Sequence, residues 1–162
     1  AGIMRWPANI ESGQTVSHPI SALDFLPTFC HLAGIEPPED FELDGANFLP
    51  ALEDLPLKRS KPLVWAYYNA INDHRVAMRS DRWKVLARLD LPKFQNLHIG
   101  NIAEVKAAQL KDIEVYDMEN DIGEVNNLAD QYKNLLEVLT NELDQNYRAL
   151  LKDSHIWQLQ VN

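Results

Sequence analysis

The run Glu114-Val115-Tyr116-Asp117-Met118-Glu119-Asn120-Asp121-Ile122-Gly123-Glu124-Val125-Asn126-Asn127-Leu128-Ala129 constrains this chain more than any other. It opens as a strand. Val115 and Tyr116 are β-formers, and a two-residue alternation puts Ile113, Val115 and Asp117 on one face and Tyr116 on the other. It then turns: Asp121-Ile122-Gly123-Glu124 has Asp where a turn begins and Gly where a positive φ is expected. It ends by launching a helix, with Asn126, Asn127 and Asp130 as competent N-caps ahead of residues 130–152. In that run Leu135, Leu139, Leu143, Tyr147 and Leu150 recur at helical spacing. A strand followed at once by a long amphipathic helix predicts a sheet that the helix covers, with the Tyr116 ring between them.

The rest of the chain supplies that sheet. Residues 62–68, 74–79 and 82–89 read as strands, the last two forming a hairpin around Ser80-Asp81. Its inward set is Val76, Met78, Trp83, Val85 and Ala87, which leaves Arg75, Ala77, Arg79, Lys84, Leu86 and Arg88 outside. Residues 90–112 form a long connection, a kind that is often functional, with a short helix over 101–110. The tail 155–161 is expected to pair at a sheet edge. Earlier, residues 3–6 read as an apolar strand. Ser21 and Asp24 form a capping-box pattern before a helix that is apolar nearly all round, a mark of burial, and Gly34 stops it. Asp44-Gly45 is a turn, 46–52 holds one or two helical turns, and 58–61 is a basic linker and internal boundary. The fold class is α+β: a small antiparallel β-sheet packed against a long C-terminal helix, preceded by a strand-helix piece.

Charge bounds the partners. The net charge of −9 argues against nucleic acid or an anionic membrane. It is also uneven. Residues 1–57 carry one basic and nine acidic side chains, 58–93 nine and three, and 94–162 five and twelve. The middle segment is a basic island, open to two readings: its Lys and Arg offset nearby carboxylates, or they attract an anionic substrate. A single cysteine excludes an internal disulfide.

Three blocks resemble the sulfatase family, and they do so in the family's order. Pro19-Ile20-Ser21-Ala22-Leu23-Asp24-Phe25-Leu26-Pro27-Thr28, with Leu32-Ala33-Gly34 and Leu43-Asp44-Gly45, is similar to its PVS-x-LD-x-x-PT … LAG … LDG block. Ala77-Met78-Arg79-Ser80-Asp81-Arg82-Trp83-Lys84 is similar to its AVR-x-GDWK hairpin. Residues 116–128 are similar to its tyrosine–aspartate … aspartate–proline–glycine–glutamate … asparagine–leucine signature. Ile122 stands where the family has Pro, so a looser turn is expected there.

The resemblance implies the C-terminal portion of an arylsulfatase-like enzyme of the alkaline-phosphatase superfamily. Residues 1–57 would be the C-terminal edge of the α/β catalytic domain and 58–162 the C-terminal α+β subdomain. The chain opens as if in mid-protein, so an upstream part is expected to hold the catalytic residues. The reaction implied is hydrolysis of a sulfate ester, with a formylglycine nucleophile from a C-x-P-S-R-type motif and Ca²⁺ held by Asp and Asn. Cys30 is followed by His31-Leu32-Ala33-Gly34, which does not fit that motif, and it reads as a small core hydrophobe. No catalytic residue and no metal ligand is carried onto this chain, and alone it is expected to be inactive. The subdomain packs on the catalytic domain and contributes to the substrate-pocket rim, with His98, His74 and Arg88 as substrate-binding candidates. The implied partner is a sulfated small molecule or carbohydrate, with self-association through an exposed N-terminal segment also open. Secreted, periplasmic or lysosomal locations suit the family. Two alternatives stand: a phosphate or phosphonate ester hydrolase of the same superfamily, and a non-enzymatic anion-binding interaction module.

Overall fold

A computed structural model describes residues 2–40, 42–70, 73–93 and 99–154, with Asn69 and Ala70 as backbone only. The chain forms two compact units, Ala1–Pro62 and Leu63–Asn162.

The second unit is built on a four-stranded antiparallel sheet in the order β1 (Leu63–Ala70), β2 (Asp73–Ser80), β3 (Trp83–Leu89), β4 (Leu110–Asp117). Val76 pairs with Ala87, Met78 with Val85, and Val85 with Val115. This register lines up one apolar face, and α4 (Lys133–Asp153) covers it with Leu139, Leu143, Tyr147 and Leu151. Val76, Met78, Val85 and Ala87 are buried there, as the alternation predicts, joined by Val115, with Val64, Ala66, Tyr68 and Trp83 packed around them. Burying such side chains contributes about 1.5–3 kcal/mol each and holds the helix to the sheet. The Tyr147 hydroxyl lies 3.2 Å from that of Tyr68 inside this layer. The β2–β3 turn places Asp81 at φ 50°, and a bulge between β3 and β4 places Asp112 at φ 49°. The connection before β4 carries the short helix α3 (Ile102–Ala107), whose Val105 joins the core.

Three expectations for the 114–129 run are corrected. Tyr116 is buried, but on the sheet face away from α4: Val115 stands in the helix-side core, and the next residue points the other way. The Tyr116 hydroxyl donates to Glu114 Oε2 at 2.9 Å, and burial followed by that bond raises its pKa to about 12. The positive φ of the turn falls on Glu124 (55°), not Gly123, although the Glu124 N–H does close on the Asp121 carbonyl at 3.1 Å. The helix begins at Lys133, and neither Asn126, Asn127 nor Asp130 caps it. The Asn127 amide oxygen is occupied elsewhere, accepting from the Val115 N–H at 3.1 Å and the Ala129 N–H at 3.0 Å. With Leu128 N–H on the Val115 carbonyl at 2.8 Å, the chain finishes the outer edge of β4 before it enters the helix.

The first unit contains α1 (Phe25–Ala33) and α2 (Leu49–Leu52). A capping box forms at Ser21 and Asp24, and Gly34 ends α1 at φ 67°. Residues 3–6 are not a strand: no described neighbour supplies a ladder, and the Trp6 carbonyl instead accepts from Asn9 and Ile10 in a turn. α1 is not a buried helix either. Thr28 and Cys30 are buried, while Phe25, Leu26, Phe29 and Leu32 lie open on its other faces. No described helix is long and apolar enough to cross a membrane.

Candidate functional site

The sequence candidates fall in different places. His74 opens β2 on the helix side of the sheet and is buried; its Nε2 lies 2.7 Å from the Pro92 carbonyl oxygen and its Nδ1 contacts that of Tyr68. Its ring faces backbone at the end of the sheet. Arg88 is on the opposite face, its side chain 43% exposed, with Nε 3.0 Å from Asp73 Oδ2 and Nη1 4.0 Å from Asp112 Oδ2. The structure therefore does not bring these two side chains together. His98 lies outside the described residues.

Arg88 belongs to the second face of the sheet. The register sets Leu63 opposite Arg79, Trp65 opposite Ala77 and Tyr67 opposite Arg75, and continues Ala77 to Leu86, Arg79 to Lys84 and Arg75 to Arg88. Trp65 is 47% exposed and Tyr67 63%. Cations around this face differ in their partners. Lys84 holds Glu124 at 2.5 Å and Arg88 holds Asp73 at 3.0 Å. Arg75 reaches Asp73 only at 3.8 Å. Arg79 donates from Nε to the Asp81 carbonyl at 2.6 Å and has no carboxylate within ion-pair distance among the described residues. Burial lowers its pKa against the pull of the more distant Asp81, Glu119 and Asp117. The signal for this face is the alternation in 63–68, which sends Leu63, Trp65 and Tyr67 the same way.

At one end of the sheet Arg82 grips Asp117: Nε donates to Oδ1 at 3.0 Å and Nη2 contacts Oδ2, while Nη1 lies 3.2 Å from Glu119. Asn120 Nδ2 adds a bond of 2.8 Å, and the Glu119 N–H one of 3.2 Å. The Arg82 guanidinium, then Asn120, hold the Asp117 carboxyl down at about 2. Asp121 accepts from the Asn126 and Val125 N–H groups at 2.7 and 3.0 Å, which lowers its pKa as well. The acidic alternation of Asp117, Glu119 and Asp121 is thus engaged by Arg82, by Asn120 and by backbone N–H groups. Among the described residues no group of three His, Cys, Asp or Glu side chains is placed to hold a metal ion.

The basic island also ties the first unit together. Arg59 binds both oxygens of Asp24, and Lys61 binds Asp44 at 2.9 Å and Glu42 at 3.2 Å. Six of the island's nine basic side chains offset carboxylates; Lys58, Arg79 and Lys93 have none within ion-pair distance among the described residues. Cys30 is a buried free thiol on α1.

Comparison with known proteins follows the same lines. The family model for N-sulphoglucosamine sulphohydrolase, C-terminal, matches residues 2–98. An ulvan-active sulfatase of Formosa agariphila is 31% identical over 157 residues, covering 87% of this chain and 31% of the relative. An N-acetylglucosamine-6-O-sulfatase of Bacteroides thetaiotaomicron is 29% identical over 155 residues, covering 90% of this chain and 25% of the relative. The solved structure of BT4656 in complex with its substrate D-glucosamine-2-N,6-O-disulfate is similar, with a TM-score of 0.59 at 25% identity over 93% of this chain and 28% of that one. The chain spans a third or less of the length of the curated relatives it matches.

Proposed function

The chain belongs to the sulfatase family, matching its N-sulphoglucosamine sulphohydrolase C-terminal region, and from that premise we propose that the whole protein hydrolyses sulfate esters to alcohol and sulfate. The observation that carries this reading is likeness to sulfatases along nearly the whole chain, 87% of it in one relative and 90% in another. One relative is named an N-acetylglucosamine-6-O-sulfatase, and a similar solved structure holds D-glucosamine-2-N,6-O-disulfate as its substrate, which supports a sulfated carbohydrate as the substrate class.

The nucleophile and the cation belong, in this proposal, to residues outside these 162. The described part has no side-chain cluster that suits Ca²⁺, and buried Cys30 lacks the motif for a formylglycine, so no catalytic step is assigned to either group here. What this chain supplies is support. Its subdomain packs on the catalytic domain and lends side chains to the rim of the substrate pocket. Of the described candidates, Arg88 keeps an exposed guanidinium that a sulfate or carboxylate of the substrate can meet. His74 is buried against the carbonyl oxygens of Tyr68 on β1 and Pro92 just beyond β3, with a ring N–H donating to one of them, which suits it to support rather than to substrate contact. His98 is retained as a rim candidate on the sequence alone.

The test is sulfate release by the purified full-length protein from 6-O-sulfated glucosamine and 4-nitrophenyl sulfate, with 4-nitrophenyl phosphate alongside. Release from the sulfates, absent in the 162-residue chain by itself, is expected. Phosphate release without sulfate release would move the protein to the sister hydrolases. Arg88→Ala should raise KM for the sulfated sugar; an unchanged KM removes Arg88 from the rim.

A further inference from the structure

We propose that the sheet face opposite α4 carries a binding site for a sulfated saccharide unit, centred on Ala77, walled by Trp65 and Tyr67 and flanked by Arg75 and Arg79. The choice of a sulfated sugar rests on the sulfatase reading; the site itself rests on the geometry of this face.

Ala77 is the small residue in the middle of β2. Arg75 and Arg79 stand two residues away on either side, so each is about 7 Å from it along the strand. Trp65 lies directly across from Ala77 on β1, and Tyr67 beside it across from Arg75. A methyl group between two long cations and two rings leaves a shallow notch with an aromatic wall. Both rings are open, at 47% and 63% of their surface. Paired open rings on a rigid sheet present flat apolar surface at low entropic cost, suited to the C–H face of a pyranose.

The charge balance selects an anion. The cations on the far side of the notch have closer carboxylate partners, Lys84 with Glu124 at 2.5 Å and Arg88 through its Nε with Asp73 at 3.0 Å. The two beside Ala77 are held less closely: Arg75 by a longer ion pair, and Arg79 by no carboxylate among the described residues. Arg75 shares Asp73 with Arg88 at the longer distance, 3.8 Å against 3.0 Å, and the Nε of each is buried without a well-aligned hydrogen bond among the described residues. Arg79 makes one bond to a carbonyl and keeps its terminal nitrogens for another acceptor. Guanidinium forks bind sulfate oxygens two at a time, and two of them about 13 Å apart along one strand can hold an anionic group and steer its neighbour. This face is thus locally positive on a chain whose net charge is −9. An acidic peptide would meet the same charges but lacks the pyranose C–H face, present in every sugar unit, that suits the open Trp65 and Tyr67 rings.

The experiment uses the full-length protein with Trp65→Ala, Arg79→Gln and the double variant, each checked for native circular dichroism. Equilibrium binding of a sulfated glucosamine oligosaccharide, and of its unsulfated counterpart, is followed by calorimetry. Each single substitution should weaken binding of the sulfated sugar about fivefold to tenfold. The unsulfated sugar should bind weakly in all forms. KM for the oligosaccharide should rise in step, while kcat/KM for 4-nitrophenyl sulfate, too small to reach the notch, stays within about twofold. Unchanged oligosaccharide affinity in the double variant overturns the site, even if the protein is a sulfatase. Equal losses on both substrates also overturn it, because they mark a structural effect. If no sulfate ester is hydrolysed, the sulfatase reading falls while the binding arm still decides the site. Binding of an acidic peptide in preference to the sulfated sugar overturns the ligand class.

Discussion

Asp24 and Arg59, thirty-five positions apart, are joined by two hydrogen bonds of 2.6 Å, one from each terminal guanidinium nitrogen to each carboxylate oxygen. Asp24 is fully buried, and it also accepts from the Ser21 N–H at 2.7 Å and the Ala46 N–H at 2.8 Å. Burial alone would raise its pKa, but Arg59 and the two backbone donors outweigh that and lower it. Arg59 reaches on to the Pro19 carbonyl at 2.8 Å. One carboxylate thus fastens the start of α1, the segment before α2 and the stretch around Arg59 within the first unit. Arg59→Ala leaves a buried charge without its partner and should cost about 3–5 kcal/mol. Arg59→Lys, with charge but no fork, should recover part of that. Amide exchange at Ala46 reads the loss directly; a cost under about 1 kcal/mol would show that solvent replaces Arg59 without strain.

Gly45 sits beside this pair for a steric reason. A Cβ placed on it would stand 2.0 Å from the Leu23 carbonyl oxygen and 2.9 Å from the Asp24 nitrogen. Both are backbone atoms of the capping turn and cannot swing aside. Gly45→Ala should therefore open the turn and destabilise the first unit by about 1–3 kcal/mol. Thermal unfolding measures this, and a neutral result would mean that the two segments do not approach so closely.

Tyr147, rather than Tyr116, is the aromatic ring that joins helix to sheet. It has no exposed surface and its hydroxyl meets that of Tyr68, so its pKa is raised, first by burial and then by that bond. Tyr147→Ala should cost about 3–5 kcal/mol through lost burial and a cavity. Tyr147→Phe keeps the ring and should lose about 1 kcal/mol. Combined with Tyr68→Phe the losses should be less than additive, since both variants remove the same bond. Full additivity in chemical denaturation would show the hydroxyls to be independent.

How much of this could be read beforehand depended on the range of each interaction. The β2–β3 hairpin was legible because its inward set repeats every second residue, and Val76, Met78, Val85 and Ala87 are all buried. The closing helix was legible from its stripe, to within three residues at its start. The side on which Tyr116 lies was not. Both Val115 and Tyr116 are apolar, so the strand alone fits either way round, and the choice is made by register with β3, where Val85 meets Val115. The Asp24–Arg59 pair was hidden because no local pattern links residues so far apart, and the composition of 58–61 suggested only a linker. For the candidate site, the split of 63–68 into faces was available in the sequence. The unequal pairing of Arg75, Arg79 and Arg88 was not, because it depends on which carboxylate each side chain reaches.

Asp117 gives the pH dependence its sign. Its native carboxyl titrates at about 2, held down first by Arg82 and then by Asn120. An unfolded Asp titrates near ~3.9. The unfolded chain therefore binds the proton first as pH falls, so the stability from this group is complete above about pH 5 and is lost between ~4 and about 2. Asp24 and Asp121 are also lowered, so the protein as a whole weakens in acid, and the total slope cannot isolate Asp117. The difference between wild type and Asp117→Asn can. Asparagine keeps the shape but not the charge that Arg82 grips, so the variant should be less stable at pH 7. The gap should close on acidification as the wild-type carboxyl itself becomes neutral. Denaturant midpoints at steps from pH 7 down to about pH 2.5 trace that gap. A gap that stays constant with pH would mean that Asp117 acts through its hydrogen bonds alone, and that the Arg82 charge contributes nothing to closing this end of the sheet.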